Sequence, residues 1–378
     1  MNPDAAPVSE PLVAVVLPPR EGFGPGQSGA IGLIAHRRAA IPGFRTVVVG
    51  GAQLGPTYSN VPFHAVEPAL WHLGNINVRY VAAMTPWLRR AAPALVEVHN
   101  RPEIALRLAR RFPAMPVTLL LNNDPQEMRG SRSPLERAEV LRQLAQVMTS
   151  SSYLRDRFLE GTGAATNSVA VVPNCIDLRA LPTREKENLI LFAGRVVAEK
   201  GTDVFAAACA AALPQLPGWR AEIIGADRSR EGGPDTEFMR GVRAVAEAAG
   251  IGMPGYRDYP AVLDAMARAA IVVVPSRWAE PFGLTALEAL GGGAALVVSR
   301  RGGLPEIGGD AAVYIDPDHA GSLAASLVAL ARDPARRAML GAAGQQRARL
   351  FDAPVIAAQL AALRRDVLSG ARPPRVAA

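Results

Sequence analysis

Short runs of consecutive apolar, β-branched-rich residues recur along the chain, separated by Ala/Leu/Arg-rich stretches with helical spacing. The runs LVAVVL (12–17), TVVVG (46–50), ALVEVH (94–99), VTLLLN (117–122) and SVAVVP (168–173) come first. NLILFAG (188–194), AEIIG (221–225), AIVVVP (270–275), ALVVS (295–299) and AVYID (312–316) follow. Because they are apolar throughout rather than alternating, each predicts a strand covered on both faces, as in a parallel sheet flanked by helices. Strand–helix alternation from end to end predicts a doubly wound α/β architecture. The polar, proline-containing stretch LRALPTREKEN (178–188) interrupts the rhythm before a fresh strand. Two Rossmann-like domains are therefore expected, residues 1–180 and 181–351. A last amphipathic helix within DAPVIAAQLAALRRDVL, about 352–370, is expected to pack back near the first. In open α/β sheets ligands bind beyond the carboxyl ends of the strands, so the expected site is a cleft where two such sheets face each other.

Length and composition agree with this picture. At 378 residues, with 49% apolar and 20% charged positions, the chain suits two ordinary domains with buried cores rather than a disordered protein. Net charge is +7, and residues 1–180 hold 18 Arg and no Lys against 13 acids. A basic half implies an anionic partner: a phosphorylated ligand, an anionic membrane or nucleic acid. No nucleic-acid motif accompanies the charge, so no nucleic-acid partner is expected. Cys175 and Cys209 form neither a metal pair nor a disulfide framework, which fits a reducing compartment. The opening MNPDAAPVSEP lacks the basic-then-apolar pattern of a signal peptide. No apolar run approaches the ~20 residues that span a bilayer. The expectation is a cytoplasmic protein, with peripheral contact at the inner face of the membrane allowed.

Three segments carry candidate chemistry. The first is the Gly-rich GFGPGQSGAIG (22–32), where Gly24, Gly26 and Gly29 satisfy G-x-G-x-x-G. Pro25 stiffens that turn, and the second strand ends in Gly50-Gly51 rather than an acid to hold a ribose. What remains is a helix N-terminus whose amides, free of side chains, can approach an anion. The second is GRVVAEKG (194–201), directly after a strand. It is no Walker loop, since Glu199 stands where that motif needs Gly and Gly201 where it needs Ser or Thr. It does place Arg195 and Lys200 where a fork and a point charge can neutralise a diphosphate. Lys200 is one of two lysines beside 39 arginines, which singles it out. The third is PSRWAEPFGLTALEALGGG (275–293), in which Pro281 and Gly283 suit a helix opening. Glu280 then precedes the helix, Glu288 lies on it, and the amides of Phe282, Gly283 and Leu284 favour negative charge.

VPNCIDL (172–178), GRVVAEKG, the Glu280–Glu288 pair and RRGGLPEIGG (300–309) occur in that order. Together they resemble the C-terminal half of glycosyltransferase family 4, retaining enzymes of the GT-B fold. VEVHNRPE (96–103) and LLLNNDPQEMRG (119–130) are similar to the spore-coat and polysaccharide-type members. The resemblance implies GT-B architecture, two Rossmann-like domains facing across a cleft. It implies a donor nucleoside-diphosphate sugar whose diphosphate is bound by Arg195 and Lys200 and whose ribose is bound by Glu288. Glu280 and the amides of Phe282, Gly283 and Leu284 would meet the donor sugar and phosphates, with the base near Gly255, Tyr256 and Arg257. His99 matches the histidine that touches the transferred sugar or the acceptor, and Gly29 and Ala30 match a first-loop phosphate contact. Asn100 and Thr285 join the substrate-binding set. Cys175 replaces a more usual Gly, and GGGAAL (291–296) a Cys-Gly-x-Pro run.

The implied reaction is a metal-free retaining hexosyl transfer to a saccharide or lipid-linked acceptor. No divalent ion is expected beside the diphosphate. The acceptor falls to the first domain, where residues 53–92 include the Arg-flanked MTPWLRR, suited to an anionic membrane or merely to solvent. Rival readings are a sugar-nucleotide epimerase or phosphorylase on the same fold, a nicotinamide-dependent oxidoreductase using Gly24–Gly29, and a non-catalytic coat or scaffold protein.

Overall fold

The computed structural model describes residues 10–68, 73–227 and 235–370. The N-terminal MNPDAAPVS, positions 69–72 of the acceptor-side stretch and the tail from 371 onward lie outside the described residues. The chain divides into two compact units, Met1–Cys175 with Ala353–Ala378, and Ile176–Asp352. Local bonding explains where the division falls. Arg37 Nη1 donates to the Cys175 carbonyl at 2.9 Å and Arg38 Nη2 to that of Val172 at 3.0 Å, which ties 172–175 to the first unit. The Ile176 amide instead donates to Phe351 O in the second.

The first unit holds a seven-stranded, wholly parallel sheet. Its strands are β1 (Leu12–Val16), β2 (Arg45–Gly51), β3 (Phe63–Val66), β4 (Leu95–His99), β5 (Val117–Leu121), β6 (Gln146–Thr149) and β7 (Val169–Val171), in the order β3-β2-β1-β4-β5-β6-β7. Every residue of β4, β5 and β6 is buried, as continuous apolar runs require. Helices α1 (Ala30–Arg37), α2 (Ile76–Ala91), α3 (Pro102–Arg111), α4 (Pro134–Gln143) and α5 (Ser152–Leu159) make the crossovers. In α3, Pro102 sits at the first helical position. Ile104, Ala105 and Leu108 face the core while Arg107, Arg110 and Arg111 face water. Ser133 opens α4 with a capping box to Glu136.

The second unit repeats the plan with six parallel strands: β8 (Glu187–Ala193), β9 (Arg220–Ile224), β10 (Gly252–Gly255), β11 (Ala269–Val274), β12 (Ala295–Ser299) and β13 (Ala312–Ile315), ordered β10-β9-β8-β11-β12-β13. Its helices are α6 (Thr202–Ala212), α7 (Glu237–Ala248), α8 (Tyr259–Arg268), α9 (Leu284–Gly291), α10 (Leu304–Gly308), α11 (Ala320–Arg332) and α12 (Pro334–Ala348). The chain then returns to the first unit as α13 (Ala353–Leu368), which buries Ile356, Ala357, Leu360, Ala361 and Arg364 at helical spacing. Each unit is thus a doubly wound parallel α/β layer. No described helix is long and apolar enough to cross a membrane.

Three strands escaped the apolar-run reading, each for a visible reason. β3 (FHAV) is an edge strand with a single fully buried residue. β6 (QVMT) is central but only four residues long and opens with Gln. β10 (GMPG) is an edge strand of Gly and Pro, which pairs irregularly with β9.

Candidate functional site

In the second unit the strand order reverses between β8 and β11. Connections leaving these two strands diverge, and such a switch point is where doubly wound sheets bind ligands. The segment GRVVAEKG lies here, on the connection from β8 to α6. Arg195 is exposed and its side chain makes no hydrogen bond or ion pair with a described residue. Residues Ala198–Lys200 form one 3₁₀ turn ended by Gly201 at φ 68°. A Cβ on Gly201 would stand 2.0 Å from the Pro275 carbonyl oxygen, so only glycine lets the turn lie against the end of β11. Two hydrogen bonds stitch the segments together: Arg277 N and Trp278 N both donate to Glu199 O, at 2.9 and 3.0 Å. The consequence is a compact cluster. Lys200 Nζ lies 2.5 Å from Glu280 Oε1 and 4.9 Å from the centre of the Trp278 ring.

Glu280 is buried and its backbone is clamped from the next connection. Gly303 N donates to Glu280 O at 2.7 Å. Helix α9 opens behind Gly283, at φ 104°, with no side chain capping it. Its first amides therefore lack partners within the helix and carry the positive end of its dipole. The Phe282 ring turns into the core, edge-on to Phe351 at 5.9 Å, so Phe282 offers only its backbone to a ligand. Leu284 and Thr285, half-buried, form the first turn. Further along α9 the buried Glu288 accepts a 2.6 Å hydrogen bond from the Tyr259 hydroxyl on Oε1. Tyr256 is exposed just past β10, two strands away from β8, and Arg257 donates to its carbonyl at 2.9 Å.

In the first unit the order reverses between β1 and β4. Gly29 and Ala30 lie exposed at the start of α1. One of the first amides of this helix is already engaged by a carboxylate of the chain. Glu21 Oε1 accepts from Gly32 N at 2.9 Å. Burial raises the Glu21 carboxyl above its ordinary range, against the pull of that amide. A dinucleotide reading loses ground for the same reason, since a pyrophosphate would meet a carboxylate. Gly24 serves close packing instead: a Cβ there would fall 2.0 Å from Pro56 O.

His99 ends β4, is buried, and shares a hydrogen bond between Nε2 and Glu97 Oε1 at 3.1 Å. Asn100 follows at φ 51°, a conformation Asn tolerates better than most residues. Its side-chain oxygen accepts from Asn122 N at 2.6 Å. Around these strand ends, His99 Nδ1, Asn100 Nδ2, both Asn122 side-chain atoms and Ser150 Oγ are buried without partners among the described residues. Each such atom costs about 1–3 kcal/mol, and natural proteins keep that cost mainly where a polar group has work to do. Arg101, its charge disfavoured by burial, lies close enough to feel the Glu21 carboxylate.

The structure thus gathers Lys200 and Glu280 directly, sets Arg195 and the start of α9 at the same switch point, and places His99 and Asn100 in the other unit. Sequence reasoning missed Trp278, Glu21, Glu97, Asn122, Ser150 and Arg364. Only Glu21 carried a local signal, an acid immediately before a Gly-rich loop. Among the described residues, no group of three His, Cys, Asp or Glu comes together as a metal cluster.

Two parallel α/β units with these connections constitute the GT-B fold, and residues 176–347 match the family model described as glycosyl transferases group 1. Glycogen synthase of Mycobacterium tuberculosis is 31% identical over 223 residues, covering 55% of this chain and 50% of that protein. The chain therefore spans about half the length of this curated relative. Sucrose-phosphate synthase from Thermosynechococcus elongatus superposes with a TM-score of 0.75 at 18% identity, over 95% of this chain and 99% of its own. HepE of Anabaena, solved with UDP and glucose, gives 0.71 at 17% over 94% and 99%.

Proposed function

We propose that the chain is a retaining glycosyltransferase. It moves a hexose from a nucleoside-diphosphate sugar to a saccharide or lipid-linked acceptor in surface polysaccharide or glycoconjugate synthesis. The observation that carries this reading is the Lys200–Glu280–Trp278 cluster at the β8/β11 switch point, inside the segment matched by the family model.

Its chemistry suits a departing diphosphate. An ammonium has three donors, and Glu280 engages one of those of Lys200, which fixes the side chain and leaves two for phosphate oxygens. Arg195, unengaged by described residues, adds a fork of five N–H groups. The first amides of α9, at Gly283, Leu284 and Thr285, add fixed partial positive charge. As the glycosidic bond breaks, the leaving nucleotide gains negative charge and the sugar becomes oxocarbenium-like. Donors already in place stabilise that charge without a divalent metal. Glu288, held by the Tyr259 hydroxyl, is a carboxylate suited to accept from the two ribose hydroxyls, and Tyr256 and Arg257 flank the base. His99 and Asn100 meet the transferred sugar or the acceptor. The working place is the cytoplasmic face, with the basic first unit near anionic lipid.

HepE, solved with UDP and glucose, makes uridine diphosphate glucose the first donor to try. Incubation of the full chain with a panel of nucleoside-diphosphate sugars and oligosaccharide acceptors in EDTA is expected to yield glycosylated acceptor with the donor's anomeric configuration retained. Formation of an isomer or a sugar phosphate without acceptor would replace this reading by an epimerase or phosphorylase. Failure to bind any nucleoside diphosphate would leave a scaffold protein.

A further inference from the structure

The buried charge of the first unit has an order of its own. Glu97 divides its two oxygens: Oε1 faces His99 Nε2 at 3.1 Å, and Oε2 faces Nε and Nη2 of Arg364, both at 3.3 Å. All three side chains are buried. Arg364 comes from α13, 267 positions further along the chain, and its guanidinium lies 5.7 Å from the centre of the Phe44 ring. His99 Nδ1 is buried and has no partner among the described residues.

We infer that Glu97 and Arg364 are positioning residues, which hold the His99 imidazole with its proton on Nε2 and so leave Nδ1 as a bare acceptor for a substrate hydroxyl. The steps are simple. An ionised carboxylate only accepts, so the ring nitrogen facing it must donate. A neutral imidazole has one donor and one acceptor nitrogen, so Nδ1 is left with a lone pair. Glu97 stays ionised: burial alone would raise it, but the Arg364 charge, the hydrogen bond with His99 and the Arg38 charge hold it down at about 2. Arg364 in turn fixes where the carboxylate points. A buried ion pair adds little net stability compared with apolar residues of the same volume, whereas a carboxylate on the far nitrogen of a working histidine sets its tautomer and orientation. Helix α13, which returns to the first unit only after the whole second unit, therefore completes the histidine's surroundings. The role in transfer rests on the function proposed above; the tautomer does not.

The test uses the full chain with ¹⁵N-labelled histidine and long-range proton–nitrogen correlation spectra, the His99 signals being identified by their loss in His99→Gln. Wild type is expected to show Nε2 protonated and Nδ1 unprotonated. The double variant Glu97→Leu, Arg364→Met exchanges the pair for apolar side chains of similar size and is expected to mix the two tautomers. Its transfer rate should fall by about 10–100-fold, with uridine diphosphate binding unchanged within about twofold. Should that variant not fold, Glu97→Gln, whose amide both donates and accepts, is expected to mix the tautomers as well. A proton on Nδ1 in wild type overturns the inference, as does a folded double variant with an unmixed Nε2–H tautomer and full turnover. A wild type with the expected tautomer but no transferase activity sinks the proposed function and leaves the positioning role standing.

Discussion

Lys200→Ala is expected to lower kcat/KM for sugar transfer by about 10²–10³, the usual effect of removing one donor aimed at developing negative charge. The same change leaves Glu280, which is buried, without the ammonium that stands 2.5 Å away. A buried charged acceptor that loses its partner costs on the order of 1–3 kcal/mol, less here than for a fully enclosed pair because the Lys200 side chain is 22% exposed. A thermal melt should therefore show a small drop while the protein stays folded at assay temperature. Activity should fall far more than any unfolded fraction explains. Turnover within threefold of wild type in a folded Lys200→Ala protein would remove Lys200 from the site.

Gly302→Ala should damage the same cluster from the opposite side. Gly302 sits at φ 60°, and a Cβ there would lie 2.2 Å from Glu280 O and 2.5 Å from Glu280 N. Backbone atoms cannot swing away as a flexible side chain does. The two connections must part, carrying Glu280 away from Lys200 and loosening the 2.7 Å bond from Gly303 N. Left-handed strain in a non-glycine residue and overpacking together amount to about 2–4 kcal/mol. At roughly 2–4 °C per kcal/mol, calorimetry should show the second unit's transition lowered by about 5–15 °C, together with weakened nucleotide binding. As a control, Gly218→Ala also has a positive φ, 80°, but open space around its Cβ; it should cost only the backbone strain. Equal melting temperatures for the two variants would mean that the approach of Gly302 to Glu280 does not matter.

Much of the second unit was legible because its chemistry is local. A strand end, a short loop with Arg195 and Lys200, and a Pro–Phe–Gly helix opening each fall within a few residues, and local residue order fixes them. The first unit was less legible because its polar contacts join distant segments. Glu97 meets Arg364 across 267 positions, and no local pattern announces a buried arginine on α13. Arg137 is likewise buried, donating to four carbonyls of α5 and the neighbouring loops. The Gly-rich loop misled in a different way. Its glycines do open a helix, but Glu21 already accepts from one of its first amides, that of Gly32. Composition cannot say which acceptor a donor finds. The short strands β3, β6 and β10 were hidden by length and by Gly, Pro or polar residues, while the sheet itself was recoverable from the longer apolar runs.

That a guanidinium, an ammonium and a helix's first amides together hold a diphosphate is measured most directly by calorimetric titration of uridine, guanosine and adenosine diphosphates into the full chain in EDTA. Wild type is predicted to bind at least one of them, and Arg195→Ala with Lys200→Ala, still folded, to bind it at least about 100-fold more weakly, since hydrogen bonds to charged groups contribute about 1.5–3 kcal/mol each. Equal affinity in wild type and the double variant would contradict the account.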